Sequence, residues 1–302
     1  MSMMARRTVW IRAGLSVLLA LLAAASPLEA TETGERAGAA ISEFHPHWRP
    51  LFKGVDFATG RADKPVPQAA FAVRVDLREP TIAFLATPSN GDQPLETNGR
   101  KTTTFLEEFG LQLALNASPF SPVLPTEGTP RDIQGLCVSR GDAYSKPHAT
   151  RRAVLISRDN RVTFAQPPPD FAGVHNAVGG FGMLLVDGRN VGGDGERHPR
   201  TALGTSEDGR FLYILVIDGR QGDYSAGATT AETAAWLLRL AAHDALNLDG
   251  GGSTTLAIAD GGDAKILNRP IHNGIPGRER VVGNHLGVFA RTLEGHAPRG
   301  EP

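Results

Sequence analysis

The 302-residue sequence predicts an α+β fold, a single domain of mixed β-sheet with few helices, and three observations lead there. Short apolar runs of strand length recur along the chain, only two segments carry helical spacing, and a strand, helix, strand succession in the last third reads as a βαβ unit carrying the site. The strand-length runs fall at 70–77, 81–86, 111–116, 153–157, 183–186, 253–259 and 286–291. Residues 103–109 form the first helix candidate. The second, 231–243, follows the continuous apolar run FLYILVID at 211–218 and precedes a short strand at Asn247-Leu248-Asp249. Two strands joined by a helix are expected to be parallel with a right-handed crossover, which brings Asp218 and Asp249 to one sheet edge beside the helix N-terminus. No internal repeat divides the chain.

The N-terminus places Arg6, Arg7 and Arg12 before an apolar stretch at 13–25 and reaches Ser26-Pro27-Leu28-Glu29-Ala30. That is the pattern of a secretory signal peptide over 1–30, too short to read as a membrane span, and it implies a periplasmic or secreted protein. Residues 31–42 read as a loose leader, 43–293 as the domain and 294–302, rich in Gly and Pro, as a disordered tail. Lys plus Arg number 31 against 32 Asp plus Glu, and removal of 1–30 takes three Arg and one Glu, leaving a net charge near −3. Such a balance offers no surface for nucleic acid or an anionic membrane. Cys137 is the single cysteine, so neither an internal disulfide nor a thiolate metal cluster is available, and its apolar neighbours mark it as a buried filler.

The most informative segment is Asn247-Leu248-Asp249-Gly250-Gly251-Gly252-Ser253-Thr254-Thr255, which sets a carboxylate before three glycines and three hydroxyls. Residues without Cβ let backbone approach a ligand closely, and Asp249 supplies a charge at a fixed point. Asp218 ends the preceding strand. Glu232 is the third acid, but Thr229-Thr230-Ala231-Glu232 is also a capping box, and the sequence leaves both readings open. Trp236 on the same helix fits packing better than the floor of a sugar site. His198 lies two residues before Arg200, so the two point to one face if the strand at 201–205 extends back through them.

His198-Pro199-Arg200-Thr201-Ala202-Leu203-Gly204, Ile217-Asp218-Gly219-Arg220, the stretch from Ser225 to Glu232, the NLDGGGSTT segment, Asn268-Arg269-Pro270 and Arg278-Glu279-Arg280 occur in this order. Together they resemble the phosphodiester glycosidase family over roughly 116–290. Asn116 and Phe120 keep the spacing of that family's Asn-Gly-Gly-Phe-Phe-like element, while Ala117 and Ser118 stand where it has glycines. The resemblance implies an exported hydrolase cleaving a glycosidic C–O bond in a glycosyl phosphodiester or a related envelope saccharide. On that reading Asp218, Asp249, Glu232 and His198 are catalytic candidates. Arg200 and Arg220 offer planar forks for phosphate oxygens, and Asn116, Gly250, Gly251, Gly252, Ser253 and Asn268 are substrate contacts. No residue is assigned to a metal, since zinc-binding and EF-hand spacings are lacking. A divalent cation on Asp218, Asp249, Asp187 and Asp194 is the basis of one rival reading, a metal-dependent phosphodiesterase. A non-catalytic polysaccharide-binding module is the other.

Overall fold

The computed structural model describes residues 41, 44–165 and 172–293. The signal-peptide segment and the C-terminal tail lie outside these residues. So does all of 31–42 except Ile41, which is buried in the core beneath the second helix.

Two sheets face each other across one shared core, and each carries a helix on its outer surface. The larger sheet has eight strands in the order Arg49–Phe52, Val55–Ala62, Gln68–Asp76, Phe211–Ile217, Arg200–Thr205, Asp244–Asn247, Met183–Val186 and Arg189–Asn190. Facing it is a five-stranded sheet in the order Asp263–Ile266, Leu256–Asp260, Leu113–Asn116, His285–Phe289 and Ala83–Ala86. A second five-stranded sheet around Ala153–Ser157 and Val174–Gly179 closes one end of the core. Side-chain alternation explains the layering: Leu212, Ile214 and Val216 enter the shared core, whereas Tyr213, Leu215 and Ile217 turn outward to the helix Thr230–Arg239. Likewise Leu113, Leu115, Leu256 and Ile258 point inward, while Ala114 and Ala257 meet Phe105 and Leu106 of the helix Thr102–Glu108. Strands buried on both faces are why 211–218 reads as an unbroken apolar run.

Two expectations are corrected here. Every ladder between described strands is antiparallel, so the sheets are not mixed. Nor do the strands flanking the second helix pair with each other: Arg200–Thr205 lies between them, antiparallel to both. The cause is chain order. Arg200–Thr205 and Phe211–Ile217 form a hairpin closed by a short turn, with Ser206 N–H donating to Phe211 O and Gly209 N–H to Ser206 O. Hairpin formation occupies that side of Phe211–Ile217 before the helix begins, so the returning strand takes the free edge of Arg200–Thr205. Phe211–Ile217 and Asp244–Asn247 still run in the same direction, and their carboxyl ends reach one edge.

Candidate active site

Register sets what meets at that edge. Arg200 is opposite Ile217 and Ala202 is opposite Asn247, so Arg200 enters the sheet where Asp218 and Asp249 leave it. From Asn247 the chain crosses from the eight-stranded sheet to Leu256 in the facing one, and the site is built on this crossing. Thr201 O accepts from Leu248 N–H, Ala117 O from Asp249 N–H and Pro199 O from Gly251 N–H, each at 2.9 Å. A 3-10 turn at Gly251–Ser253 completes the crossing. Asn116 locks it from behind: its Nδ2 donates to Asp249 O at 2.6 Å, and its Oδ1 accepts from Thr201 Oγ1 at 2.8 Å and Thr255 N–H at 3.1 Å.

The three glycines have separate steric reasons. A Cβ on Gly250 would stand 2.6 Å from Pro199 O. Gly251 has φ +61, and a Cβ there would press within 3.2 Å of the Arg220 guanidinium. On Gly252 a Cβ would fall 2.7 Å from Arg280 Cζ. The triplet therefore clears room for two arginines to lie directly on the turn.

These residues surround an open pocket of about 270 Å³. Arg200, Arg220 and Arg280 line it together with His198, Phe181 and Asp249. Arg200 is fixed by Nε donating to Ala228 O at 2.8 Å and Nη2 to Glu196 O at 2.9 Å. Arg280 donates from Nε to His272 Nδ1 and from Nη1 to Ser253 Oγ, both at 3.2 Å. Arg220 Nη2 lies 3.2 Å from His198 Nδ1. Because a guanidinium only donates, that nitrogen accepts, and His198 carries its proton on Nε2, which is 3.3 Å from Glu196 Oε2. Burial, with Arg200 and Arg220 alongside, holds His198 below the usual imidazole range. Among the described residues no carboxylate forms an ion pair with Arg200, Arg220 or Arg280. Asp249 is the pocket's one lining carboxylate, and burial pushes it up to about 6 against the opposing pull of Ser253, Arg280 and Arg151. Three guanidinium groups held by neutral partners around one carboxylate form a site for an anion with an electrophilic centre beside it.

A family model described as phosphodiester glycosidase matches residues 109–289, which contain every one of these pocket residues. The chain belongs to the phosphodiester glycosidase family. No curated protein matches the sequence. Among solved structures, a hypothetical protein from Synechocystis superposes with a TM-score of 0.63 at 17% identity, covering 79% of this chain and 62% of its own. The catalytic domain of zebrafish N-acetylglucosamine-1-phosphodiester alpha-N-acetylglucosaminidase, auto-inhibited by its pro-peptide, gives 0.62 at 17% identity, with 80% of this chain and 85% of that chain covered. At that identity the likeness is one of fold.

Within this phosphodiester glycosidase fold, the residues singled out in the sequence divide into two groups. Asp249, Gly250, Gly251, Gly252, His198, Arg200 and Arg220 line the pocket, and Ser253 is buried directly beneath it. The remaining four stand behind the wall. Asp218 is 1% exposed, and its oxygens accept from Asn268 Nδ2 at 2.8 Å, Arg269 N–H at 2.8 Å and Tyr224 Oη at 2.9 Å. Asn268 is spent on that bond, on Thr254 O and on Leu256 N–H. Asn116 is the strut already described. Glu232 completes the capping box with Thr229 and also accepts from Gln68 and two nitrogens of Arg197. Trp236 is fully buried, its Nε1 donating to Gln68 Oε1 at 2.7 Å. Asp187 approaches His243 and Asp244 rather than the pocket acids.

Sequence reasoning assigned no role to two pocket residues, Arg280 and Phe181. Arg280 sits in the Arg278-Glu279-Arg280 motif, which was visible, but nothing in its spacing tied it to Asp249. Phe181 lies in a glycine-flanked turn, and Arg151 stacks its guanidinium 4.8 Å from the Phe181 ring.

Proposed function

We propose that the protein is an exported hydrolase that cleaves the anomeric C–O bond of a glycosyl phosphodiester. The observation that carries this reading is the trio Arg200, Arg220 and Arg280, unpaired with any described carboxylate, around the single carboxylate of Asp249. The guanidinium forks take the phosphate oxygens. The departing group is then a phosphate monoester whose charge they neutralise, so strong general-acid help is unnecessary. Asp249 above about pH 6 is ionised and takes a proton from water as it attacks the anomeric carbon in a single displacement, which inverts the anomer. His198, neutral with its proton on Nε2, donates a hydrogen bond to the departing oxygen. Phe181 offers the apolar face of the sugar a partner at the pocket mouth. Export is supported by the N-terminal signal pattern at 1–30.

The donor set argues against a metal-dependent phosphodiesterase, because Asp249 stands alone among arginines and Asp218 has no free oxygen facing the pocket. Hydrolysis in ¹⁸O-water separates the two: label in the sugar supports C–O cleavage, and label in the phosphate overturns it. A saccharide that binds and is never turned over points to the binding-module reading.

A further inference from the structure

A second cavity of about 390 Å³ is lined by His272, the hydrogen-bond partner of Arg280, and plays no part in the reaction proposed above. Lys101, Arg278, His272 and Glu279 line it. The two cavities share a wall. Arg280, on the first, donates through Nε to Nδ1 of His272, on the second. A guanidinium donor forces His272 Nδ1 to accept, so the imidazole keeps its hydrogen on Nε2 as a donor. Burial and the charges of Arg280 and Arg278 hold this histidine below its usual range, in the neutral form that the bond requires. The one carboxylate present is committed elsewhere. Glu279 accepts from Thr103 N–H at 3.2 Å and Thr103 Oγ1 at 2.7 Å, tying it to the start of the helix Thr102–Glu108. Lys101 and Arg278 are both exposed, and neither is ion-paired among the described residues.

Building on the function proposed above, we propose that this cavity holds a second phosphate, carried on the aglycone side of the scissile phosphodiester, so that the substrate is a chain of glycosyl phosphates rather than a single unit. A phosphodiester gripped by Arg280 has its aglycone on one side of that guanidinium, and the neighbouring cavity meets whatever follows with two cations and an imidazole N–H. A neutral aglycone gains nothing from such a lining. A repeating anionic polymer gains charge-assisted hydrogen bonds at each register.

The test compares kcat/KM for a methyl-capped glycosyl phosphodiester with that for the same molecule carrying a phosphate on its aglycone. The extended substrate is expected to be preferred by about tenfold, expressed in KM, as befits one or two partly exposed ion pairs. In the double variant Lys101→Ala, Arg278→Ala that ratio falls toward one, while Lys101→Arg keeps most of it. Equal values in the native protein, or a preference that survives the double variant, overturn the inference. If neither substrate turns over, the function proposed above fails instead. The cavity is then read directly by inorganic pyrophosphate: shifts in the His272 ring resonances that the double variant abolishes support it, and unchanged resonances in the native protein overturn it.

Discussion

Asp218 and Asp249 leave the same edge of the same sheet, and burial pushes both carboxyls to about 6, yet they sit in opposite chemical situations. Asp218 is walled in by three donors and does not line the arginine pocket. Asp249 faces open space lined by arginines whose own partners are neutral. A shifted pKa at a strand end is thus no mark of function by itself. What distinguishes the two is whether lone pairs remain for a ligand.

The largest expected effect comes from removing the charge on the open side. Asp249→Asn should lower kcat by about 10³ with no loss of stability at neutral pH, a loss in the range of a missing acid–base group. An unfolded variant, or one keeping a tenth of native kcat, would make the two aspartates equivalent. Gly252→Ala should come next. Its methyl displaces Arg280, and kcat/KM is expected to drop on the order of 10², comparable to losing one charge-stabilising donor.

On the closed side the readout moves from activity to stability. Asp218→Asn turns one acceptor into a donor facing donors and should cost about 2–3 kcal/mol in urea unfolding, with kcat of the folded fraction within a few-fold of native. Glu232→Gln weakens the bond from Arg197 and the helix cap, and about 1–2 kcal/mol is expected.

The pH dependence involves both aspartates together. A carboxyl raised in the folded state holds its proton more tightly there than in the unfolded chain. Its stabilising contribution is complete below the unfolded value near 3.8 and is lost as pH rises to about 6. Unfolding free energy should therefore decline across that window, and Asp249→Asn should flatten part of the decline. Activity runs the other way, with kcat/KM climbing through about 6 as Asp249 ionises.

Much of the scaffold was legible because apolar periodicity is local. The runs at 153–157 and 183–186 are strands with those bounds, and the helices at 102–108 and 230–239 lie within a few residues of their expected positions. Val55–Ala62 escaped notice since Asp56 and Gly60 break its pattern, and Gly60 is there because a Cβ would stand 2.8 Å from Phe44 Cε2. The strand expected from Ser253 begins at Leu256, as Asn116, Asn268 and Arg280 hold the preceding hydroxyl segment in a turn.

By itself the sequence determined the strand-rich composition with two helices, the glycine turn, the capping box and the arginine forks, all properties of residue type and near spacing. Tertiary structure alone decided that Arg200–Thr205 separates the two same-direction strands, that Arg280 joins Asp249 from the far end of the chain, and that Asp218, Glu232, Asn116 and Asn268 spend their polar atoms on neighbouring side chains and on the backbone. Spacing reports which groups a segment carries. Whether a buried oxygen is already satisfied depends on donors brought in from other strands, and that is set only when the sheets pack.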